Sequence, residues 1–278
     1  MPIRVIRVYS MPIQPMTQPT VLRAGTPTIS MCLAAFNGAR FVTRQLRSIL
    51  DQLRSADEII VVDDASSDDT VAVIESLADP RLRVVRRTTN GGVSATFVEA
   101  ILLASGDVIF LADQDDLWLP GKVEAVLERI AAGKDLVVHD AVVVRDGHAI
   151  VPSLFTARRS GPGVLRNIVR NSYTGCCIAF RRAILADVLP IPRSRWFFHD
   201  IWIGLAAELC GYEVDFLRRP LIEYTRHGGN VSARTALPVA LRSRIAVAVE
   251  VGKYLLRRAA RRITPTAGEH QSSRGARP

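Results

Sequence analysis

Four short apolar runs alternate with three amphipathic ones between residues 27 and 113, and that alternation leaves few folds open. "TISMCLAAF", "EIIVVDD", "LRVVRR" and "DVIFLAD" are rich in β-branched residues and apolar at successive positions, the composition of strands buried on both faces. Between them, "ARFVTRQLRSILDQL", "DTVAVIESLA" and "GGVSATFVEAILLAS" carry helical patterns. The repeat predicts βαβ units and a mainly parallel central sheet with helices on both faces, an α/β fold. Ligands of such sheets collect at the carboxyl ends of the strands. Those ends carry Asn37, the pair Asp63 and Asp64, and the cluster Asp113, Asp115 and Asp116.

Beyond residue 134 the pattern loosens. "DLVVHDAVVVRDG" reads as strands around a turn, "TARRSGPG" as a loop, "SYTGCCIAF" as a strand, and "EVDFLRRPLIEYTRH" as one or two strands. "FFHDIWIGLAAELCG" reads as a helix ended by Gly211. After Pro238 comes a helical segment that places Leu241, Ile245, Ala248, Leu255, Leu256, Ala259 and Ile263 on one side and Arg242, Lys253, Arg257 and Arg261 on the other.

The net charge of +9 would suit a nucleic-acid ligand were it spread over the folded part. It is not. Residues 237 to 278 hold nine Lys or Arg against Glu250 and Glu269, and residues 1 to 25 hold three Arg and no acid. The region between is within one charge of neutral, which argues against a nucleic-acid partner. Cys32, Cys176, Cys177 and Cys210 form no CxxC pair and sit in apolar runs, as buried reduced thiols do in a cytoplasmic protein.

Two phosphate cradles are absent: no GxGxxG follows the first strand and no GxxxxGK[ST] occurs. "DDASSDDT" lacks the glycine an EF-hand loop requires. Three carboxylates within four residues at a strand end raise one another's pKa unless a cation neutralises them. In extended chain Asp113 and Asp115 point to one side while Asp116 turns away, and hard oxygen ligands of this kind suit Mg²⁺ or Mn²⁺; an acidic surface turn is the alternative. Pro120 fits the first turn of "LPGKVEAVLERI", and Ser66, Ser67 and Asp68 are helix-capping candidates.

Taken in order, "ISMCLAAFNGARFVTRQLRSILDQ", "EIIVVDDASSDDT", "NGGVSATF", "GDVIFLADQDDLWLPGKV", "TGCCIAF", "FHDIWIGLAAELCG" and "YTRHGGNVS" resemble family 2 glycosyltransferases of the GT-A fold, most nearly the bacterial rhamnosyltransferase-like branch. The resemblance spans about residues 27 to 232. It implies a nucleotide-sugar half, 27–134, and an acceptor half, 135–236; residue pattern and composition add a flexible extension at 1–26, a basic amphipathic helix at 237–263 and a disordered tail at 264–278. It places Ala34, Phe36, Asp63 and Asp64 against the base and ribose of the donor, with Asn90, Gly92, Asp113 and Gln114 also on the donor side. Asp113, Gln114 and Asp115 match the family's DxD. Asp115, Asp113, Asp116 and His227 are the implied metal set. Asp200 matches the catalytic base, and Thr174, Gly175, His199 and Trp202 fall where acceptor contacts are made. Read without the resemblance, Asp200 is a helix cap, Trp202 a core residue and His227 a loop histidine. The chain departs from many relatives at Ala34, where they carry Thr or Ser, and near Thr96, where they carry Asn.

The implied activity is inverting transfer of a sugar, rhamnose from dTDP-rhamnose first, from a nucleotide diphosphate donor to a hydroxyl of a glycan or lipid-linked saccharide in cell-surface polysaccharide assembly. An inactive binding relative and a nucleotide-sugar pyrophosphorylase are the rivals; the second lacks its Gly-rich, Arg-containing loop. For the last helix two fates are open, docking on the domain or lying on the anionic inner face of the cytoplasmic membrane.

Overall fold

The computed structural model describes residues 6–7, 25–194, 196, 198–228 and 237–263, with side chains in the last segment from 241 to 258. The tail from 264, and the N-terminal extension apart from 6–7 and 25–26, lie outside the described residues. In chain order the strands are β1 (Ile6–Arg7), β2 (Ile29–Ala35), β3 (Glu58–Asp63), β4 (Leu82–Arg86), β5 (Val108–Asp113), β6 (Leu117–Trp118), β7 (Leu136–Arg145), β8 (His148–Val151), β9 (Ile178–Arg181) and β10 (Val214–Thr225). The helices are α1 (Val42–Leu50), α2 (Thr70–Glu75), α3 (Val93–Leu103), α4 (Lys122–Ala131), α5 (Leu154–Arg158), α6 (Val164–Val169), α7 (Leu185–Val188), α8 (His199–Cys210) and α9 (Leu237–Ile263).

All strands join one sheet in the order β1-β4-β3-β2-β5-β9-β7-β10-β6, with β8 hairpinned onto β7. The first five are mutually parallel, as the alternation requires. β9 is antiparallel to both β5 and β7 and bridges the two halves. Ala34 pairs with Asp113, and Ala35 with Asp63. The register therefore sets the acid-bearing strand ends side by side, and nearly every residue of β2, β3 and β5 is buried.

The looser half resolves as follows. "TARRSGPG" begins inside α5, and "SYTGCCIAF" divides into a 3-10 turn at Gly175–Cys177 and β9. β10 is a single strand whose register on β7 slips on either side of Pro220, which has no N–H to donate. Pro120 lies outside α4; left-handed Gly121 is its cap. Nor do the three capping candidates cap α2 through an N-cap side chain: the cap position is Asp69, while the Asp68 carboxylate accepts from the Thr70 N–H at 3.0 Å and the Ser66 hydroxyl accepts from the Asn37 N–H.

α9 docks on the domain, but not by the stripe the sequence offers. Val247 and Val251 are buried, the Tyr254 ring meets Trp202 edge-on at 5.5 Å, and Arg258 donates to the Leu209 carbonyl at 3.0 Å. Leu241, Ile245 and Leu256 face outward. A helix with apolar residues on two faces does not reveal from period alone which one the domain takes. No helix among the described residues is long and apolar enough to cross a membrane.

One close approach holds the parallel half together. The N–H groups of Ser105 and Gly106 both donate to the Ser30 hydroxyl, which donates to Glu58. A Cβ on Gly106 would stand 2.5 Å from the Ser30 nitrogen. Gly106→Ala should therefore destabilise the fold by about 1–3 kcal/mol, read as a lowered urea midpoint; an unchanged midpoint would mean the turn can move aside.

Candidate active site

At the end of β3 the two neighbouring carboxylates are used differently. Asp64 accepts from the Gly91 and Gly92 N–H groups, each at 2.8 Å, and lies 3.2 Å from the Arg87 guanidinium. The Asn90 side chain donates to the Asp64 carbonyl. Both oxygens of Asp64 are thus engaged in closing the Asn90–Gly92 loop. Asp63 accepts from the Ser66 N–H through one oxygen, while the other is buried with no hydrogen-bond partner among the described residues. Of the pair, Asp63, beside Ala35, is the one that keeps an acceptor oxygen open among the described residues.

Gln114 also braces the scaffold. Its amide exchanges hydrogen bonds with the Phe36 N–H and carbonyl at 2.9 and 3.0 Å and lies over Gly38, where a Cβ would collide with it. It ties the turn after β5 to the turn after β2 and leaves the Phe36 ring half exposed.

β5 ends at Asp113, and the chain then turns, so the extended-chain pairing of Asp113 with Asp115 does not hold. Asp113, Asp116 and Cys176 converge, with ligand-type atoms all within 4.8 Å of one another. Asp115 instead contacts the His227 Nε2 at 2.7 Å, and the His227 ring stacks on Phe41 at 4.7 Å. Asp116 accepts from the Thr225 N–H through Oδ1, and its buried Oδ2 has no hydrogen-bond partner among the described residues. Burial, then the neighbouring Asp115 and Asp200, push the Asp113 pKa up to about 7. Burial, then Asp113 and Asp115, raise Asp116 well above the usual carboxylate range. A hydrogen bond with Cys177, burial and the nearby carboxylates raise the Cys176 thiol.

Beneath the cluster lies Lys122, fully buried at the start of α4. Its ammonium donates to the Cys176 carbonyl at 3.0 Å and sits 4.0 Å over the Trp118 ring. Burial pulls its pKa down to about 8 against the pull of the Cys176 and Cys177 thiols and of Asp116 and Asp113. A buried ammonium persists where opposite charge and hydrogen bonds offset its lost hydration. The sequence analysis gave it no role, although the signal was there: Lys122 precedes Val126 and Ile130 on the face α4 buries.

The other wall is built by α8. Asp200, in its first turn, accepts from the Gly175 N–H at 2.9 Å and from the Ile201 N–H at 2.8 Å. Burial raises its pKa to about 6, opposed by those hydrogen bonds and by the Arg158 charge. Arg158 donates to the Thr174 hydroxyl. His199 is stacked on Phe97 at 4.2 Å, and neither ring nitrogen has a hydrogen-bond partner among the described residues. Burial pulls its pKa down to about 3, so it is a neutral imidazole. A Cβ at Gly175 would stand 3.4 Å from His199 Nε2 and 3.7 Å from Asp200 Oδ2, so the glycine lies directly against both side chains. Trp202 does not join this wall, because its indole N–H donates to the Val188 carbonyl in the core.

The arrangement is a GT-A fold with acids at the ends of its parallel strands and a carboxylate of raised pKa opposite. Residues 30–189, more than half of the chain, match glycosyl transferase family 2, and the protein belongs to that family. An uncharacterized glycosyltransferase of Nostoc sp. is 26% identical over 217 residues, 73% of this chain and 66% of that one. The succinoglycan biosynthesis protein ExoO of Rhizobium meliloti is 33% identical over 126 residues, 45% of this chain and 36% of its own. In the structure of S. aureus TarS 1-349 in complex with UDP-GlcNAc, the TM-score is 0.66 at 22% identity, over 81% of this chain and 66% of that one. The chain thus spans about two thirds, or much less, of these relatives' lengths. None of the three singles out a rhamnosyltransferase branch.

Lys122→Met would leave the Cys176 carbonyl without its donor and the Asp113–Asp116 pair without its cation. A loss of about 3 kcal/mol is expected by chemical denaturation; a variant as stable as the parent would show that the ammonium is not needed to hold the cluster.

Proposed function

We propose that this protein is a metal-dependent inverting glycosyltransferase that moves a sugar from a nucleotide diphosphate donor to a hydroxyl of a glycan or lipid-linked saccharide. The observation that carries the reading is Asp200: a carboxylate raised to about 6, held by the Gly175 N–H and within electrostatic reach of Asp113. Such a group is ionised at neutral pH and basic enough to take a proton.

The donor set fits a hard divalent cation in part. The Asp113 carboxylate and the buried Oδ2 of Asp116 are suitable oxygens, with Asp115 beside them; the Cys176 thiol, raised and hydrogen-bonded, stays protonated and is a poor ligand for Mg²⁺ or Mn²⁺. A cation held by these carboxylates would supply the positive charge that a departing nucleoside diphosphate needs. The remaining roles belong to the chain itself. The free Asp63 oxygen accepts a hydrogen bond from the base or ribose. Neutral His199, beside Gly175, orients the acceptor hydroxyl. Asp200 takes the hydroxyl proton as that oxygen bonds to the anomeric carbon and the bond to the diphosphate breaks. Attack from the face opposite the leaving group inverts the anomeric centre.

Rhamnose from dTDP-rhamnose remains the first donor to try, on the resemblance alone; the bound donor of TarS, UDP-GlcNAc, makes a UDP-sugar the competing trial. The succinoglycan role in ExoO's name supports assembly of a surface polysaccharide. An inactive binding relative is the alternative.

The decisive assay follows nucleoside diphosphate release from UDP-, GDP- and dTDP-sugars with and without Mn²⁺ or Mg²⁺. Asp200→Asn should lower turnover by a factor on the order of 10²–10⁴ and leave donor affinity intact. In the parent enzyme kcat should rise with pH through about 6 and level off above it, because the base works deprotonated. A flat profile over that range would remove Asp200 from the role. Mn²⁺ should raise the melting temperature of the parent but not of Asp116→Ala. Donor binding without turnover in the presence of candidate acceptors would favour the inactive relative.

A further inference from the structure

α9 meets the domain with Val247, Val251, Tyr254 and Arg258 and turns a second apolar face to solvent. On that outer face Leu241, Ile245, Val249 and Leu256 are exposed by 58%, 56%, 48% and 73%. Helical spacing runs the exposed Arg242, Lys253 and Arg257 along one border of it. α6, which packs against both α9 and α8, repeats the pattern on a smaller scale. Leu165 and Val169 are one turn apart and exposed by 81% and 61%, each followed by an exposed arginine, Arg166 and Arg170. Seven of the eleven exposed large hydrophobic side chains among the described residues lie on these two helices. This is a patch rather than the usual scatter.

The charge on these two helices is mainly positive. Residues 154 to 170 hold four arginines and no acid. Along α9 between 241 and 258 the one acid, Glu250, is bonded to Lys253 at 2.7 Å. Leucines and valines standing out from convex helices, bordered by arginines, suit penetration between headgroups rather than insertion into a protein groove. We propose that the α6–α9 face docks on a bilayer containing anionic phospholipid, the apolar side chains entering the interface and the cations meeting the headgroups. The face shares α8 with the acceptor wall. α8, packed on α6, carries Asp200 in its first turn, and Arg158, six residues before α6, bonds Thr174 beside Gly175. A saccharide carried on a lipid would reach Asp200 from that side. Docking itself does not depend on the transferase reading; its use for a lipid-linked acceptor does.

Removing α9 is the wrong test, because Val247, Val251 and Tyr254 are part of the packed domain. The full chain is co-sedimented with vesicles of phosphatidylcholine alone and of phosphatidylcholine with phosphatidylglycerol, beside the double variants Ile245→Glu/Leu256→Glu and Leu165→Glu/Val169→Glu. Parent protein should sediment with the anionic vesicles and not the neutral ones, less so at high salt, and each double variant should lose on the order of tenfold or more in binding. Circular dichroism and metal-dependent donor release should stay unchanged in both. No sedimentation, equal sedimentation with both vesicles, or variants that bind as the parent does would overturn the proposal. So would a dimer on gel filtration that the variants split, which would give the face to a second copy of the chain. Sedimentation without donor release from any sugar nucleotide would keep the docking surface and remove the transferase reading.

Discussion

Carboxylates withdrawn from water beside one another repel, and the candidate site is arranged around that repulsion. The sheet register fixes Asp113 at the end of β5, and the turn that follows brings Asp116 back beside it. The charge of the nearby buried Lys122 ammonium, a backbone N–H from β10 and the adjacent Cys176 thiol oppose that repulsion. What this leaves over is one buried carboxylate oxygen of Asp116 with no hydrogen-bond partner among the described residues. Lys122 also reaches the Cys176 carbonyl, one residue from the Gly175 N–H that holds Asp200.

The parallel half was legible because each of its strands is buried on both faces, so apolar continuity and β-branching speak directly for the sheet. The acids at its strand ends were legible for the same reason: a charge at the end of a buried run has few structural excuses. What each acid does was not. Asp64 and Gln114 read as donor contacts in sequence, and in the structure both also fasten backbone loops, since a carboxylate or amide is as apt to accept a nearby N–H as to meet a substrate. Asp115 and Asp116 could not be told apart because the assumption of extended chain fails one residue past Asp113. Lys122 was overlooked because lysine is so seldom buried that a pattern reading assigns it to water.

In the acceptor half, short strands, a proline-broken ladder and a 3-10 turn give weak periodicity, so resemblance carried what composition could not. Asp200 illustrates this. Its local sequence says helix start, and only the N–H of Gly175, brought from twenty-five residues away, sets the carboxylate in a wall of the site. α9 failed in another way. Both its faces are apolar, and the choice between them was made by the shape of the surface formed by Trp202, Cys210 and Asp187, which no helical wheel contains.

The pairing of Asp115 with His227, with β10 bonded to both β6 and β7, has a consequence in time. The turn after β5 is closed by residues more than a hundred positions later in the chain, so a ribosome must deliver nearly the whole domain before that turn has its partners. Until then Asp113, Asp115 and Asp116 sit on an unclosed sheet edge beside β9, and sequence-distant contacts of this sort form slowly. A nascent chain that has emerged only through residue 189, where the family match ends, has its acids but neither Asp200 nor His227. It is an assembly intermediate rather than a small enzyme.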